Sequence, residues 1–299
     1  MRRERSQDLK VTQDHRRQWQ DCIYVYPVVS RRSRGVSIGI NLSLDKQCNF
    51  DCVYCQVNRS ISRTGQPIDL GILAGELRRA LQAVISGGLW AEQRFAATPL
   101  QLRRVNDIAL SGDGEPTCCP AFGDVVRLAA DARRENSAGD VKIVVITNAT
   151  RLSDAGVRDA LPVLTDNNGE IWAKLDAGTE EMFQRINRPR EAITLPDICR
   201  NIAAAARIMP VVIQTLLFRL DDQPPSPTEI DAYCDRLREL LAAGGRIRQV
   251  QLHTIARAPA QACVKRLADD ELNAIAEIVR QALPAVDVTV TYGADIPPQ

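Results

Sequence analysis

Six short apolar runs, each followed by a stretch of helical spacing, constrain this chain more than any other feature. They lie near residues 36–42, 107–111, 141–147, 170–176, 211–217 and 248–255. Strands that alternate with helices in this way build a parallel sheet joined by right-handed crossovers. The intervening stretches carry their own signals. Residues 69–86 place Leu70, Leu73, Leu77, Leu81, Val84 and Ile85 at helical spacing before a Gly87-Gly88 stop. Helices are also expected over 122–134, from Ser153 to about 164, over 179–186 and over 198–207. Two more are expected, one capped by Thr228 and running to about 243, and one over 269–283. Thr179 is a candidate N-cap, with Glu180 and Glu181 in the favourable first turn. A last short strand is expected over 286–291. Residues 23–29 read as an edge strand, because Pro27 cannot donate within a central ladder.

The apolar share of 45% and charged share of 25% in 299 residues suit a globular chain with a substantial core. A formal net charge of +1 gives no global basic field of the kind that draws nucleic acid. No apolar run approaches the roughly 18 residues of a membrane span. Nine cysteines are an odd count, and no signal peptide is visible, so a disulfide framework is not expected and the cytoplasm is. Residues 1–35 differ from the rest. Arg2, Arg3, Arg5, Lys10, Arg16, Arg17, Arg31, Arg32 and Arg34 stand against only Glu4, Asp8, Asp14 and Asp21. The first twenty residues are expected to form a solvated arm. The expected organisation is this basic arm over 1–35, a core over 36–260 and a C-terminal helix and strand over 261–299.

Cys48, Cys52 and Cys55 stand at C-x3-C-x2-C in the loop leaving the first strand. Three thiolates on one short loop can hold three irons of a [4Fe–4S] cluster and leave the fourth iron open. Zinc with a distant fourth ligand, or free thiols, are the other readings of the same spacing. A second segment, Gly112-Asp113-Gly114-Glu115-Pro116-Thr117, follows the second strand about sixty residues later. Its glycines allow close backbone approach to a ligand, and its carboxylate can pair with an ammonium. Cys118 and Cys119 come next, as additional ligands or as small residues capping the following helix.

Together these motifs resemble the radical S-adenosylmethionine (SAM) superfamily. Its signature is C-x3-C-x-aromatic-C, with Tyr54 here at the aromatic position, and Gly114-Glu115-Pro116 matches its G-G-E-P segment. The resemblance implies an α/β fold, a partial (β/α)6 TIM-like barrel of parallel strands with short N- and C-terminal extensions. It implies a [4Fe–4S] cluster on Cys48, Cys52 and Cys55 and SAM chelated to the open iron. One-electron cleavage would give a 5′-deoxyadenosyl radical that abstracts hydrogen from a substrate. It also implies an electron donor such as flavodoxin or ferredoxin, and no membrane partner.

In such a barrel the site lies at the C-terminal strand ends. Tyr54 is expected on the adenine, with Gly112, Asp113, Gly114 and Glu115 at the methionine end. Thr147, Asn148, Asp176 and Gln214 are further cofactor candidates. Period two puts Trp172, Lys174 and Asp176 on one face, and Gln251 with His253 on one face. Lys174 and His253 are the catalytic candidates, although a Lys174–Asp176 pair and a hydrogen-bonded core histidine would be purely structural. Lys174 to Gly178, Arg185 to Pro189 and Gln251 to Arg257 add a resemblance to the branch that includes the wyosine base synthases, which act on transfer RNA. Those enzymes carry a second cysteine set ahead of the first, whereas only Cys22 precedes Cys48 here. The substrate is thus a small molecule or RNA, and Arg185, Arg188, Arg190 and Arg257 are candidates for an anionic one. A non-catalytic, metal-binding interaction protein is the alternative from another class.

Overall fold

The computed structural model describes residues 14, 16–30, 33–59, 65–136, 139–257, 259 and 261–293. The strands are β1 (Val25–Ser30), β2 (Gly35–Ile40), β3 (Val105–Leu110), β4 (Lys142–Thr147), β5 (Gly169–Lys174), β6 (Val211–Leu216), β7 (Phe218–Leu220), β8 (Ile247–His253), β9 (Val264–Arg266) and β10 (Asp287–Thr291). The helices are α1 (Leu70–Ile85), α2 (Phe122–Glu135), α3 (Ala155–Arg158), α4 (Leu161–Asp166), α5 (Glu180–Asn187), α6 (Leu195–Ile208), α7 (Pro227–Ala242) and α8 (Asp269–Ala282). None is long and apolar enough to cross a membrane, among the described residues.

One eight-stranded sheet runs in the order β1-β2-β3-β4-β5-β6-β8-β10. All its pairings from β2 onward are parallel. The six expected strands are β2, β3, β4, β5, β6 and β8, and the expected last strand is β10. β1 lies antiparallel on the edge, as Pro27 requires.

Successive strand residues face opposite sides. Ile108, Leu110, Ile143, Val145, Ile171 and Ile213 face outward into the main core, which the helices cover with Leu73, Leu77, Val125, Ile202 and Leu237. Ala109, Val144, Trp172 and Val212 face the other way and form a small interior cluster. Tyr26 of β1 and Thr291 of β10 line one cavity although their strands do not pair. The sheet is therefore curled into a partial barrel, open between β1 and β10. One interior level is polar, with Lys174 beside Gln214 and Gln214 beside Gln251.

Four expectations are corrected. The helix expected from Ser153 is broken into α3 and α4, because Pro162 enters the first turn of the second piece and cannot continue the helix before it. The N-cap of α7 is Ser226, not Thr228: its Oγ accepts from Glu229 N at 3.2 Å, and Pro227 takes the first helical position. α6 starts earlier than expected, from a Thr194–Asp197 capping box. The solvated arm is not solvated at its described end. Trp19 is 3% exposed, with its indole N–H donating to Glu92 at 3.0 Å, and Cys22 is buried. Glu76 of α1 accepts the backbone N–H groups of Ile23, Tyr24 and Val25 at 2.7, 2.8 and 3.1 Å, which anchors β1. Arg2, Arg3, Arg5, Lys10, Arg31 and Arg32 lie outside the described residues. The antiparallel ribbon of β7 and β9 was not expected from the sequence.

Candidate active site

A cavity of about 410 Å³ opens within the curled sheet and at the C-terminal ends of its strands. The three cysteines and Tyr54 enter it from the loop after β2. Gly112, Asp113, Gly114 and Glu115 enter after β3, and Thr147 and Asn148 from the end of β4. Lys174 and Asp176 come from the end of β5, Gln214 from β6 and His253 from β8. The fold thus brings the metal, cofactor and catalytic candidates of the sequence to one cavity. Cys118 and Cys119 do not line it. Cys118 is exposed at the end of a short 3-10 turn, and partial burial pushes its thiol up to about 11.

The cysteine loop is strapped to the end of α5. Asp51 N donates to Arg188 O at 3.0 Å, Val53 N to Ile186 O at 2.9 Å, and Arg190 N to Asn49 O at 2.8 Å. Phe50 and Pro189 form an antiparallel bridge. Phe50 and Val53 alternate with the cysteines and plug into the core, Phe50 standing edge-on to Phe183 with 5.7 Å between centroids. All three thiols are free and half-buried. Burial pushes Cys48 up and Cys52 up to about 12, so both hold their protons until a metal displaces them. Arg59 Nη2 lies 3.4 Å from the sulfur of Cys55, and Asn187 Nδ2 lies 3.8 Å from that of Cys52. Donors beside thiolate sulfur are what an electron-rich iron–sulfur ligand set requires. Among the described residues no three His, Cys, Asp or Glu converge on a single-ion site. Three free thiols lining one cavity fit a cluster that takes one thiolate on each of three irons.

The glycine turn presses on the entrance of this loop. A Cβ on Gly114 would lie 2.0 Å from the Gln47 carbonyl oxygen, and one on Gly112 would lie 2.2 Å from Asn41 Oδ1. Asp113, between them, is ion-paired with Arg17 and exchanges two hydrogen bonds with the Asn41 amide, at 2.9 and 3.0 Å. Glu115 is 5% exposed and already heavily used. It accepts from Thr117 N at 3.1 Å, Thr117 Oγ1 at 2.6 Å, Thr147 Oγ1 at 2.7 Å and Asn148 N at 2.7 Å. Burial pushes its carboxyl up, and those donors oppose the rise. Glu115 thereby ties the end of β3 to the end of β4, a role the sequence reading did not assign. Asn148 continues the tie to the cysteine loop by donating to Asn49 Oδ1 at 2.8 Å.

On the opposite wall Asp176 gathers several donors. Leu216 N reaches its Oδ1 at 2.8 Å and Lys174 Nζ at 3.2 Å, while the Tyr54 hydroxyl donates to Oδ2. Lys174 also stands 5.2 Å above the Tyr54 ring, whose edge meets Phe218 at 5.7 Å. Burial, then the neighbouring Asp176 charge, pushes the Tyr54 phenol well above its ordinary range, so it stays a donor. Asn187 completes the group, donating to Tyr54 at 3.0 Å and to Asp176 at 3.3 Å. The sequence reading marked Asn187 only as part of the Arg185-to-Pro189 segment and gave it no role. Of the four arginines expected at the mouth, Arg257 lines the cavity and Arg185, Arg188 and Arg190 do not. Arg185 is paired with Asp221 at 2.8 Å and Arg190 with Asp51 at 3.8 Å, and Arg188 donates to the Arg185 carbonyl at 3.3 Å.

The radical SAM superfamily model matches residues 43–225, from the cysteine loop to beyond β7. The chain belongs to the radical SAM superfamily. A UPF0026 protein of Methanocaldococcus jannaschii is 29% identical over 178 residues, covering 60% of this chain and 48% of the relative. The chain spans about half the length of the curated relatives it matches, 48% and 57% for the first two. A radical SAM methyltransferase from Sphaerobacter thermophilus superposes with a TM-score of 0.62 at 14% identity, over 90% of this chain and 69% of that one. TYW1 with a lysine–pyruvate adduct bound superposes with a TM-score of 0.52 at 16% identity, over 82% and 73%. These likenesses show the radical SAM fold. Membership of the superfamily implies SAM and an iron–sulfur cluster as cofactors.

Proposed function

We propose that this radical SAM enzyme holds one [4Fe–4S] cluster on Cys48, Cys52 and Cys55 and acts on a substrate inside the barrel. When bound, the cluster and SAM supply one electron and, by reductive cleavage of the sulfonium, a 5′-deoxyadenosyl radical for hydrogen abstraction. The observation that carries this reading is the meeting of the cysteine loop and the glycine turn at one cavity mouth. The backbone of Gly112 to Gly114 takes the methionine end, with Glu115 holding that turn in shape. Tyr54 packs on the adenine, and Thr147, Asn148, Asp176 and Gln214 supply polar contacts to the ribose and carboxylate. Lys174 and His253 face the substrate. An external one-electron donor of the flavodoxin or ferredoxin class reduces the cluster.

Substrate class is the open choice between a small molecule and RNA. Of the four named arginines only Arg257 lines the cavity, which supports the small molecule, since RNA binding draws on many basic contacts. The test is anaerobic reconstitution. About four irons and four sulfides per chain, a reduced-cluster spectrum perturbed by SAM, and slow 5′-deoxyadenosine formation without substrate are expected. Zinc without iron, or a cluster indifferent to SAM, would overturn the reading.

A further inference from the structure

Asn187 is the last residue of α5 and is 4% exposed. Its Nδ2 is within reach of three acceptors, Cys52 Sγ at 3.8 Å, Tyr54 Oη at 3.0 Å and Asp176 Oδ2 at 3.3 Å. The orientation of the amide is fixed by those neighbours, because the opposite flip would set a carbonyl against a carboxylate. Its Oδ1 is buried and has no hydrogen-bond partner among the described residues. A buried acceptor without a donor costs about 1–3 kcal/mol, so such an atom calls for an explanation. Asn187 lines the cavity between the sulfur of one cluster cysteine and the aromatic residue beside it. The amide therefore has one end committed to the cysteine loop and the other end waiting for a donor.

We propose that Asn187 is a positioning residue that couples SAM binding to the cluster. This rests on the function proposed above. An amino or hydroxyl donor of the bound nucleoside satisfies Oδ1. Accepting that bond polarises the amide and makes Nδ2 a stronger donor. The stronger N–H···S contact lowers the electron density on Cys52, which favours the reduced cluster. Occupancy of the nucleoside site is thus felt at the metal through one side chain, without any movement of the backbone strap.

The test compares wild type with Asn187→Ala and Asn187→Leu. The Leu variant keeps about the size, removes both amide groups and sets no second carboxylate beside Asp176, so it guards against a cavity defect in the Ala variant. Each protein is reconstituted, its iron and sulfide are counted, and the midpoint potential is measured without SAM and with SAM at saturation, checked by equilibrium dialysis. The quantity read is the change that SAM causes within one protein, which a general structural defect leaves alone. In the variants, the SAM-induced change in the reduced-to-oxidised ratio is expected to shrink by about tenfold, or 59 mV for a one-electron couple. The same SAM-induced change in all three loaded proteins would overturn the role of Asn187 alone. Failure of the wild type to take up iron and sulfide would instead overturn the function beneath it.

Discussion

The Tyr54 hydroxyl donates to the Asp176 carboxylate, which joins the cysteine loop after β2 to the far end of β5. Two strands of a curled sheet, β3 and β4, lie between these residues in the order of pairing, and both residues line the cavity. Asp176 is meanwhile held by Leu216 N and Lys174, so the contact fixes Tyr54 against a wall that is itself rigid. Replacing Tyr54 with Phe removes one donor from a buried carboxylate and is expected to cost about 1–3 kcal/mol. Urea unfolding measures the loss. SAM binding is expected to weaken in parallel, because the ring loses its fixed position.

The three cysteines of the loop are expected to behave alike and unlike all the others. Changing Cys48, Cys52 or Cys55 to Ala should abolish the reconstituted cluster and 5′-deoxyadenosine formation while the far-ultraviolet circular dichroism spectrum is kept. Changing Cys118 or Cys119 to Ala should leave iron content as in wild type, since neither lines the cavity. Iron and sulfide assays on the five variants decide the matter.

Gly114 is expected to tolerate no side chain. Gly114→Ala would drive a methyl group to 2.0 Å from the Gln47 carbonyl, so the turn or the cysteine loop must shift. SAM affinity should fall by at least about tenfold, or 1.4 kcal/mol, by equilibrium dialysis. Glu115→Gln should act through stability instead, because an amide N–H₂ would then face a group that now donates to Glu115. A loss of about 1–3 kcal/mol is expected.

Asp107 gives a prediction about pH. It is 2% exposed on the barrel's inner wall, where burial pushes its carboxyl up despite hydrogen bonds from Ser37 and Asn106. A folded-state pKa above the unfolded one means that the folded protein binds more protons in that window. Ionisation of Asp107 therefore opposes folding, fully above its folded pKa and progressively less as pH falls toward the ordinary carboxylate value. Asp107→Asn keeps an acceptor for Ser37 and should be more stable than wild type at neutral pH. The difference should shrink on acidification, as followed by urea unfolding at a series of pH values.

The parallel strands were legible in the sequence because each carries an apolar run bounded by turn residues. Val141 to Ile146 and Val211 to Ile213 are examples, and their observed boundaries fall within a residue or two of the expected ones. The cysteine loop and the glycine turn were legible because short spacing leaves few geometries open. The ribbon of β7 and β9 was not, since its strands are three residues each and pair over a long separation in sequence. The break at Pro162 and the caps at Thr194 and Ser226 were visible but outweighed by the apolar periodicity around them. Asn187 was illegible for another reason. Nothing local distinguishes an asparagine at a helix end that serves the helix from one that reaches across to a sulfur and a phenol, and only the fold sets Cys52 and Tyr54 beside it.

The strap between residues 49–53 and 186–190 is carried mainly by peptide groups and by the Phe50–Phe183 ring contact. None of its backbone hydrogen bonds uses a cysteine side chain. Exchanging a thiol therefore leaves those bonds intact, so the loop can vary its ligands without giving up its anchorage.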